Sequence, residues 1–312
     1  MITRKGPSIE VVVAVDLGGT LTKIAYVTRD GGAVDVSRVV TQVDDQGAVP
    51  PEWLSGLVSE AAESHPELRT VGYGLVAPGI IDAAAGVVRV APNVGWRDVP
   101  IRRVLDGSTG LPGTIGHDVR AGGLAEWRLG GWSGVDDLLF LPLGTGIAGA
   151  AVVDGRMLEA GGYAGEIGHL HVSVADRRCA CGAYGCLETI ASATGVLRSY
   201  ERTAGLRRTA VEIAELARSG DQAALQAFAV AVAGLAEALA AYAALLAPEV
   251  VIIGGGLSGA ADLIMDELGQ SLDDRLSFHR RPQLVTATLG PDAGVRGAGL
   301  LGWQHLIDEG IA

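Results

Sequence analysis

The stretch VVVAVDLGGTLTKIAYV, residues 11–27, decides the fold. Residues 11–15 are all apolar, Asp16 ends the run, Gly18–Gly19 turn the chain, and an alternating segment follows. An unbroken apolar run bounded by turn residues reads as a buried strand, and the alternating run as its antiparallel partner, so the two predict a hairpin. The pattern recurs in DDLLFLPLGTGIAGAAVVDG (136–155), again strand, glycine turn, strand, while PEVVIIGGGLSG (248–259) reads strand, glycine turn, helix. VGYGLV (71–76) is a further strand stopping at Pro78–Gly79. Apolar spacing of three to four predicts helices over 52–63 and 119–128 and long helical segments from 190 to 247. GVRGAGLLGWQHL (294–306) reads as a closing helix that packs back on the first half. The same strand–glycine–strand unit in both halves predicts a duplicated α/β lobe with a cleft between the copies.

Composition narrows the class. At 312 residues the chain can form two lobes of ordinary size. A hydrophobic share of 48% with 4% aromatics implies a core of Val, Leu, Ile and Ala, and 46 glycines imply tight turns and close backbone approaches. The net charge of −12 argues against a nucleic-acid partner, which needs clustered Lys and Arg. Here Arg102–Arg103 and Arg280–Arg281 are scattered, solvated pairs. The opening MITRKGPSIE is polar, so no secretion and a cytoplasmic location are expected. FAVAVAGLAEALAAYAALLA (228–247) nears membrane length but holds Glu237 and lacks flanking anchors; a buried helix, and no membrane partner, is expected.

All three cysteines lie in GEIGHLHVSVADRRCACGAYGCLE, residues 165–188. His169, Cys179, Cys181 and Cys186 supply one imidazole and three thiolates, a closed tetrahedral set for a structural Zn²⁺ that would tie a long loop. The bland alternative makes them small core residues beside a satisfied histidine. Three glycine turns each follow a buried strand: Asp16-Leu17-Gly18-Gly19-Thr20, Gly144-Thr145-Gly146, and the triplet ending in Gly255-Gly256. Bare backbone lets N–H groups approach phosphate oxygens, with the hydroxyls of Thr20 and Thr145 alongside. Each alone is an ordinary turn; together they point to a nucleotide. No P-loop sequence is present.

These stretches, with GYGLVAPGIIDAAAGVVRVAPNVGW, LPLGTGIAGAAVVDGR, GEIGH, CACGAYGC followed by LE, and VVIIGGGLSG, resemble the ROK sugar kinases, close to bacterial glucokinases. The match runs in family order from residue 11 to the closing helix. The resemblance implies an α/β, actin-like ATPase (ribonuclease H-like) fold of two lobes with a central cleft. Residues 1–127 with the closing helix 298–312 would form the small lobe, and 128–297 the large lobe with the zinc loop and nucleotide site. It implies transfer of the ATP γ-phosphoryl group to a hexose, glucose first (giving glucose 6-phosphate), with Mg²⁺ as cofactor, a structural Zn²⁺ on the Cys₃His set, and a homodimer or higher homo-oligomer.

By the same resemblance Asp118 is the general base, and Gly79, Asn93, His117, Asp118, Glu166, His169 and Glu188 face the sugar. Asp16, Gly18, Gly19, Thr20, Lys23, Gly144, Thr145, Gly146, Gly255 and Gly256 serve the nucleotide, Asp16 by orienting water on the metal. Asp118 could instead be a helix N-cap, and Asn93 an ordinary turn residue. Two positions depart from the family pattern: His117 replaces the Asn before the base, bringing a pH-dependent donor count, and Ala148 replaces a glycine. Kinases for N-acetylmannosamine, fructose or allose share most of these residues. A non-catalytic sugar-binding or regulatory protein is the rival class. Family repressors carry a DNA-binding module ahead of the first strand, and none is expected where that strand begins about ten residues in.

Overall fold

A computed structural model describes residues 9–312. Residues 1–8, which carry most of the expectations about secretion and a preceding module, lie outside the described residues. The chain divides into two compact units: the first holds the residues up to Leu129 with Glu159–Tyr163 and Pro291–Ala312, the second Gly130–Leu158 and Ala164–Gly290.

In the first unit, β1 (Ile9–Leu17), β2 (Leu21–Val27) and β3 (Ala33–Val40) form an antiparallel meander, and β4 (Leu68–Ala77) lies parallel on the other side of β1. The hairpin keeps its register to the turn, with Val12 opposite Val27 and Leu17 opposite Thr22. Val11 to Val15 are fully buried, as an unbroken apolar run in a central strand requires. After α1 (Pro51–Ser64) and β4 comes a three-stranded antiparallel sheet of β5 (Ile80–Asp82), β6 (Val87–Ala91) and β7 (Trp96–Val99). Then α2 (Ile101–Thr109) leads to β8 (Gly113–His117), parallel to β4, and directly into α3 (Asp118–Leu129). The main sheet reads β3-β2-β1-β4-β8.

The second unit repeats this order. Its sheet reads β11-β10-β9-β12-β13, from β9 (Leu138–Pro142), β10 (Ala150–Val153), β11 (Arg156–Met157), β12 (Val250–Gly254) and β13 (Gln283–Thr286). Again three strands are antiparallel and two follow in parallel. Five helices accompany it: α4 (Glu188–Ala191), α5 (Ala193–Ala204), α6 (Ala210–Arg218), α7 (Gln222–Leu246) and α8 (Met265–Asp273). Among the described residues α7 alone is long and apolar enough to cross a membrane, and one face of it is core: Ala224, Phe228, Ala231, Leu235 and Leu239 are buried. Its Glu237 accepts hydrogen bonds from the Ser173 N–H and hydroxyl, a polar anchor within the unit.

The last helix, α9 (Ala293–Asp308), belongs to the first unit and corrects the expected span 298–312. Its first turns hold Gly294, Gly297 and Gly299, which lower helix propensity and obscure its start. They are needed for packing: a side chain at Gly297 would sit 1.9 Å from the Ala121 carbonyl oxygen of α3, and one at Gly299 would strike Val27. A second correction concerns the glycine triplet, which opens a kinked 3₁₀ segment, Gly256–Leu263, before α8 rather than an α-helix. The strands β3, β5, β6, β7 and β8 were not expected, being short, half-exposed or interrupted by polar residues.

Gly297→Ala should destabilise the protein by about 1–3 kcal/mol through overpacking of α3 on α9, despite a propensity gain of about 1 kcal/mol. The urea midpoint measures it; an unchanged or raised midpoint would contradict the packing described.

Candidate active site

The turn after β1 is gripped from three sides. The Gly18 N–H donates to the Leu21 carbonyl at 3.2 Å, and the Thr41 hydroxyl donates to the Gly18 carbonyl at 2.7 Å. Thr41 pairs in turn with the buried Thr22 hydroxyl at 2.9 Å. A side chain on Gly19 would lie 2.7 Å from the carbonyl oxygen of Asn93, so the turn is pressed onto the 3₁₀ segment Pro92–Val94. Asn93 and Thr20 are exposed there. Neither Thr22 nor Thr41 was singled out from sequence, because a hydroxyl that pins a turn carries no periodic signal.

Asp16 closes β1 beside Lys23, whose ammonium lies 3.4 Å from its carboxylate and also donates to the Pro291 carbonyl. Burial raises the Asp16 pKa; Lys23 works against that shift, and the neighbouring Asp118 adds to it. Lys23 is therefore engaged in holding Asp16. Helix α9 approaches the same carboxylate, with Gly294 leaving room where a side chain would lie 2.7 Å from an Asp16 oxygen.

Asp118 is placed by the β8–α3 junction: β8 pairs Ala77 with His117, and α3 starts at the next residue. One Asp118 carboxylate oxygen accepts from the Val119 N–H at 2.7 Å. Its side chain is 32% exposed, and burial raises its pKa against the Val119 N–H and the Arg120 charge. His117 is 7% exposed. Its Nδ1 accepts from the Arg120 N–H at 3.4 Å, which puts the neutral ring's proton on Nε2, 3.5 Å from the Asp118 carboxylate. Burial, and then the Arg120 charge, lower the His117 pKa to about 3. The expected pH-dependent donor count is thus absent around neutrality: the imidazole stays neutral, with Nε2 3.5 Å from the Asp118 carboxylate. Arg120, also missed from sequence, is buried and donates to the Gly162 carbonyl at 3.3 Å.

Gly79 has φ of +103°, and a side chain there would lie 2.1 Å from the Val90 carbonyl oxygen. Backbone geometry alone demands glycine at this position.

In the second unit the turn Gly144-Thr145-Gly146 leaves β9 with Thr145 exposed. The Leu143 N–H donates to the Gly254 carbonyl at 2.8 Å, and Gly255, at φ +79°, packs so closely that a side chain would lie 2.6 Å from Leu143 backbone atoms. Two of the three predicted glycine turns therefore meet, Gly255 against Leu143, with Gly256 open beside them. Glu188 reaches this turn: its carboxylate accepts from the Ile147 N–H at 3.1 Å. Ala148 has no positive φ, so its methyl group causes no backbone strain.

The metal quartet is assembled. One ligand atom from each of His169, Cys179, Cys181 and Cys186 lies within 4.8 Å of all the others. His169 Nδ1 is 3.7 Å from Cys179 Sγ, and Cys181 Sγ is 3.7 Å from Cys186 Sγ. With Zn–S bonds of about 2.3 Å, a tetrahedron has S···S edges of about 3.8 Å, so the donor set fits. Burial, then the other two thiols, push the Cys186 thiol up to about 12, whereas the Ala183 N–H draws Cys181 down. Three thiolates crowded together are unfavourable unless a cation compensates them. Because Nδ1 faces the thiols, His169 Nε2 is left pointing to the Glu166 carboxylate, 3.7 Å away.

Two five-stranded α/β sheets of identical order, each with a glycine turn after its first strand, define the actin-like ATPase fold. The chain belongs to the ROK family, whose family model matches residues 12–305. It is 34% identical to a glucokinase of Halalkalibacterium halodurans over 315 residues, covering 93% of this chain and 94% of that one. It superposes with a TM-score of 0.81 on a ROK family glucokinase from Streptomyces griseus solved in complex with glucose and AMPPNP, at 28% identity, covering 94% of this chain and 99% of that one. It is also 29% identical to the xylose repressor of Caldicellulosiruptor bescii, covering 85% of this chain and 70% of the repressor.

Metal analysis should find zinc in the purified protein, and Cys186→Ser should lose it and lower the thermal midpoint by roughly 5 °C or more. A metal-free protein with an unchanged midpoint in chelator would contradict the zinc site.

Proposed function

We propose that this protein is an ATP-dependent hexose kinase that phosphorylates the 6-hydroxyl of glucose, acting in the cytoplasm as a homodimer or higher homo-oligomer. The observation that carries it is Asp118: a carboxylate at a helix start, its basicity raised by burial, its partner imidazole neutral, and a second acid, Asp16, within electrostatic reach. Relatives named glucokinase, one solved with glucose and AMPPNP, support the substrate choice.

In this reading the first unit is the lobe with the general base and the second the lobe with the zinc loop. Asp118 accepts the hydroxyl proton as the oxygen attacks the γ-phosphorus, and its raised pKa makes it a better base than a solvated carboxylate. Neutral His117, with Nε2 3.5 Å from that carboxylate, is a further sugar-facing donor in this reading. Gly79, Asn93, Glu166, His169 and Glu188 are the sugar-binding residues of this reading. The bare backbones of Gly18, Gly19, Gly144, Gly146, Gly255 and Gly256, with Thr20 and Thr145, take the phosphates and nucleoside. Lys23 holds Asp16 in place, and Asp16 would help to hold Mg²⁺. Mg²⁺ supplies charge compensation on the phosphates when bound. Zn²⁺ on His169, Cys179, Cys181 and Cys186 supplies rigidity to the loop. Phosphoryl transfer needs little covalent chemistry from the protein, so positioning and electrostatics carry the rate.

A coupled ADP-release assay over a hexose panel tests this, with glucose expected to give the highest kcat/KM. Saturable sugar binding without ADP release would favour the regulatory reading. Asp118→Asn should lower kcat by about 10²–10⁴-fold while sugar affinity changes little; near-normal turnover would remove Asp118 from the role.

The raised Asp118 pKa sets two pH dependences. Activity should fall as pH drops through that pKa, at a pH above the ordinary carboxylate value of about 3.9. For stability, a folded pKa above the unfolded one gives a contribution present below the unfolded pKa and lost as pH rises through the folded pKa. Asp118→Asn should therefore resist urea better than the parent at neutral pH, with the difference shrinking below about pH 4. Equal midpoints at every pH would contradict the burial of this carboxylate.

A further inference from the structure

The turn 143–147 and the metal loop are joined at both ends of the loop. From the Cys186 end, Glu188 follows the ligand by two residues and opens α4. Its carboxylate accepts from the Ile147 N–H at 3.1 Å, and the same carboxylate lies 2.5 Å from where a side chain on Gly146 would stand. Just after α4, the Ala193 N–H donates to the Gly144 carbonyl at 2.8 Å. The short segment behind Cys186 thus holds both flanks of the turn. From the His169 end, the Gly149 N–H donates to the Gly165 carbonyl at 2.7 Å. Gly168 lies so close that a side chain there would meet the Ile147 carbonyl at 2.1 Å.

The β-strand side of the turn is held separately, by the Leu143 N–H on the Gly254 carbonyl and the Leu257 N–H on the Leu143 carbonyl, which leaves 144–147 to the contacts from the loop. Thr145 is exposed, and α4 is a single turn of four residues whose own hydrogen bonds cannot make it rigid. Directly before α4, Leu187 is buried and its N–H donates to the Leu170 carbonyl at 2.9 Å, and each of these two residues follows a clustered donor, Cys186 and His169. The other Glu188 oxygen faces Cys179 Sγ at 3.8 Å, so the side chain spans from the donor cluster to the turn.

We propose that Glu188 is a positioning residue through which the closed metal loop sets the conformation of the glycine turn at 143–147. Metal bound to Cys186 fixes the start of α4. The start of α4 fixes the Glu188 carboxylate and the Ala193 N–H, and these two hold the turn from opposite flanks. The nucleotide role of the turn rests on the function proposed above; the mechanical link does not.

Hydrogen exchange read by mass spectrometry on peptides covering 143–149 and 188–193 tests the link in the full-length protein. In metal-loaded Glu188→Ala, exchange at 143–149 should rise about tenfold, the loss of one buried hydrogen bond, with metal content unchanged. Glu188→Gln keeps an acceptor oxygen and should restore most of the protection. Stripping metal from the unsubstituted protein with a chelator should raise exchange in both peptides. The proposal is overturned if stripping loosens only the loop and leaves 143–149 within twofold, or if Glu188→Ala leaves that peptide unchanged. AMPPNP titration of the same samples separates the two readings. Loosened exchange with undiminished AMPPNP affinity upholds the link and counts against the nucleotide role of the turn, whereas parallel losses of protection and affinity uphold both.

Discussion

Close approach of one backbone to another, with no side chain between, is the constraint on which both halves of this protein depend. Gly74 of β4 leaves only enough room for the Ala298 carbonyl of α9, since a side chain there would stand 1.9 Å away. That contact seats the last helix on the first sheet, and with it Gly294 against the Asp16 carboxylate. The same device brings the first turn onto Asn93 and the later glycine triplet onto Leu143. Hydrophobic burial supplies the driving force, through strands such as Val11–Val15, but burial is indifferent to half an ångström. The glycines are not, and they convert a generic apolar core into turns held at defined positions.

The electrostatic pattern follows from that packing. Asp16 and Asp118 stand at the ends of β1 and β8, and enclosing them costs solvation, which raises both pKa values. Lys23 offsets part of the cost for Asp16, and the Val119 N–H and Arg120 part of it for Asp118. Burial keeps His117 neutral, so one position that departs from the family pattern places a neutral imidazole beside Asp118 rather than a switchable charge. In the second unit the problem is reversed. Burial raises the pKa of Cys179 and Cys186 while the Ala183 N–H lowers that of Cys181, and three thiols converging in this way form a donor set whose chemistry calls for a cation.

Much of this was legible in the residues. Apolar runs ending in glycine mark β1, β9 and β12, and the Cys and His spacing marks a loop whose donors do converge. The strands that escaped notice, β5 to β8 among them, are too short or too mixed for a period-two pattern to register. The first turns of α9 escaped because glycine speaks against a helix locally, and only the α3 backbone opposite Gly297 shows why it is there. Thr41, Thr22 and Arg120 were invisible for a similar reason: each acts on a carbonyl or hydroxyl distant in sequence.

The residues in order, by themselves, determined the alternation of strand and helix, the duplicated layout, the donor types of the metal loop and the candidate base, because these rest on local patterns and on which side chains exist. Tertiary structure alone decided that the identical strand order of the two sheets completes the duplication, that His117 is buried and neutral beside Asp118, and that Glu188 joins the loop to the turn. Those outcomes depend on where chain segments far apart in sequence meet, and on which polar atoms find partners once water is gone, neither of which a linear pattern encodes.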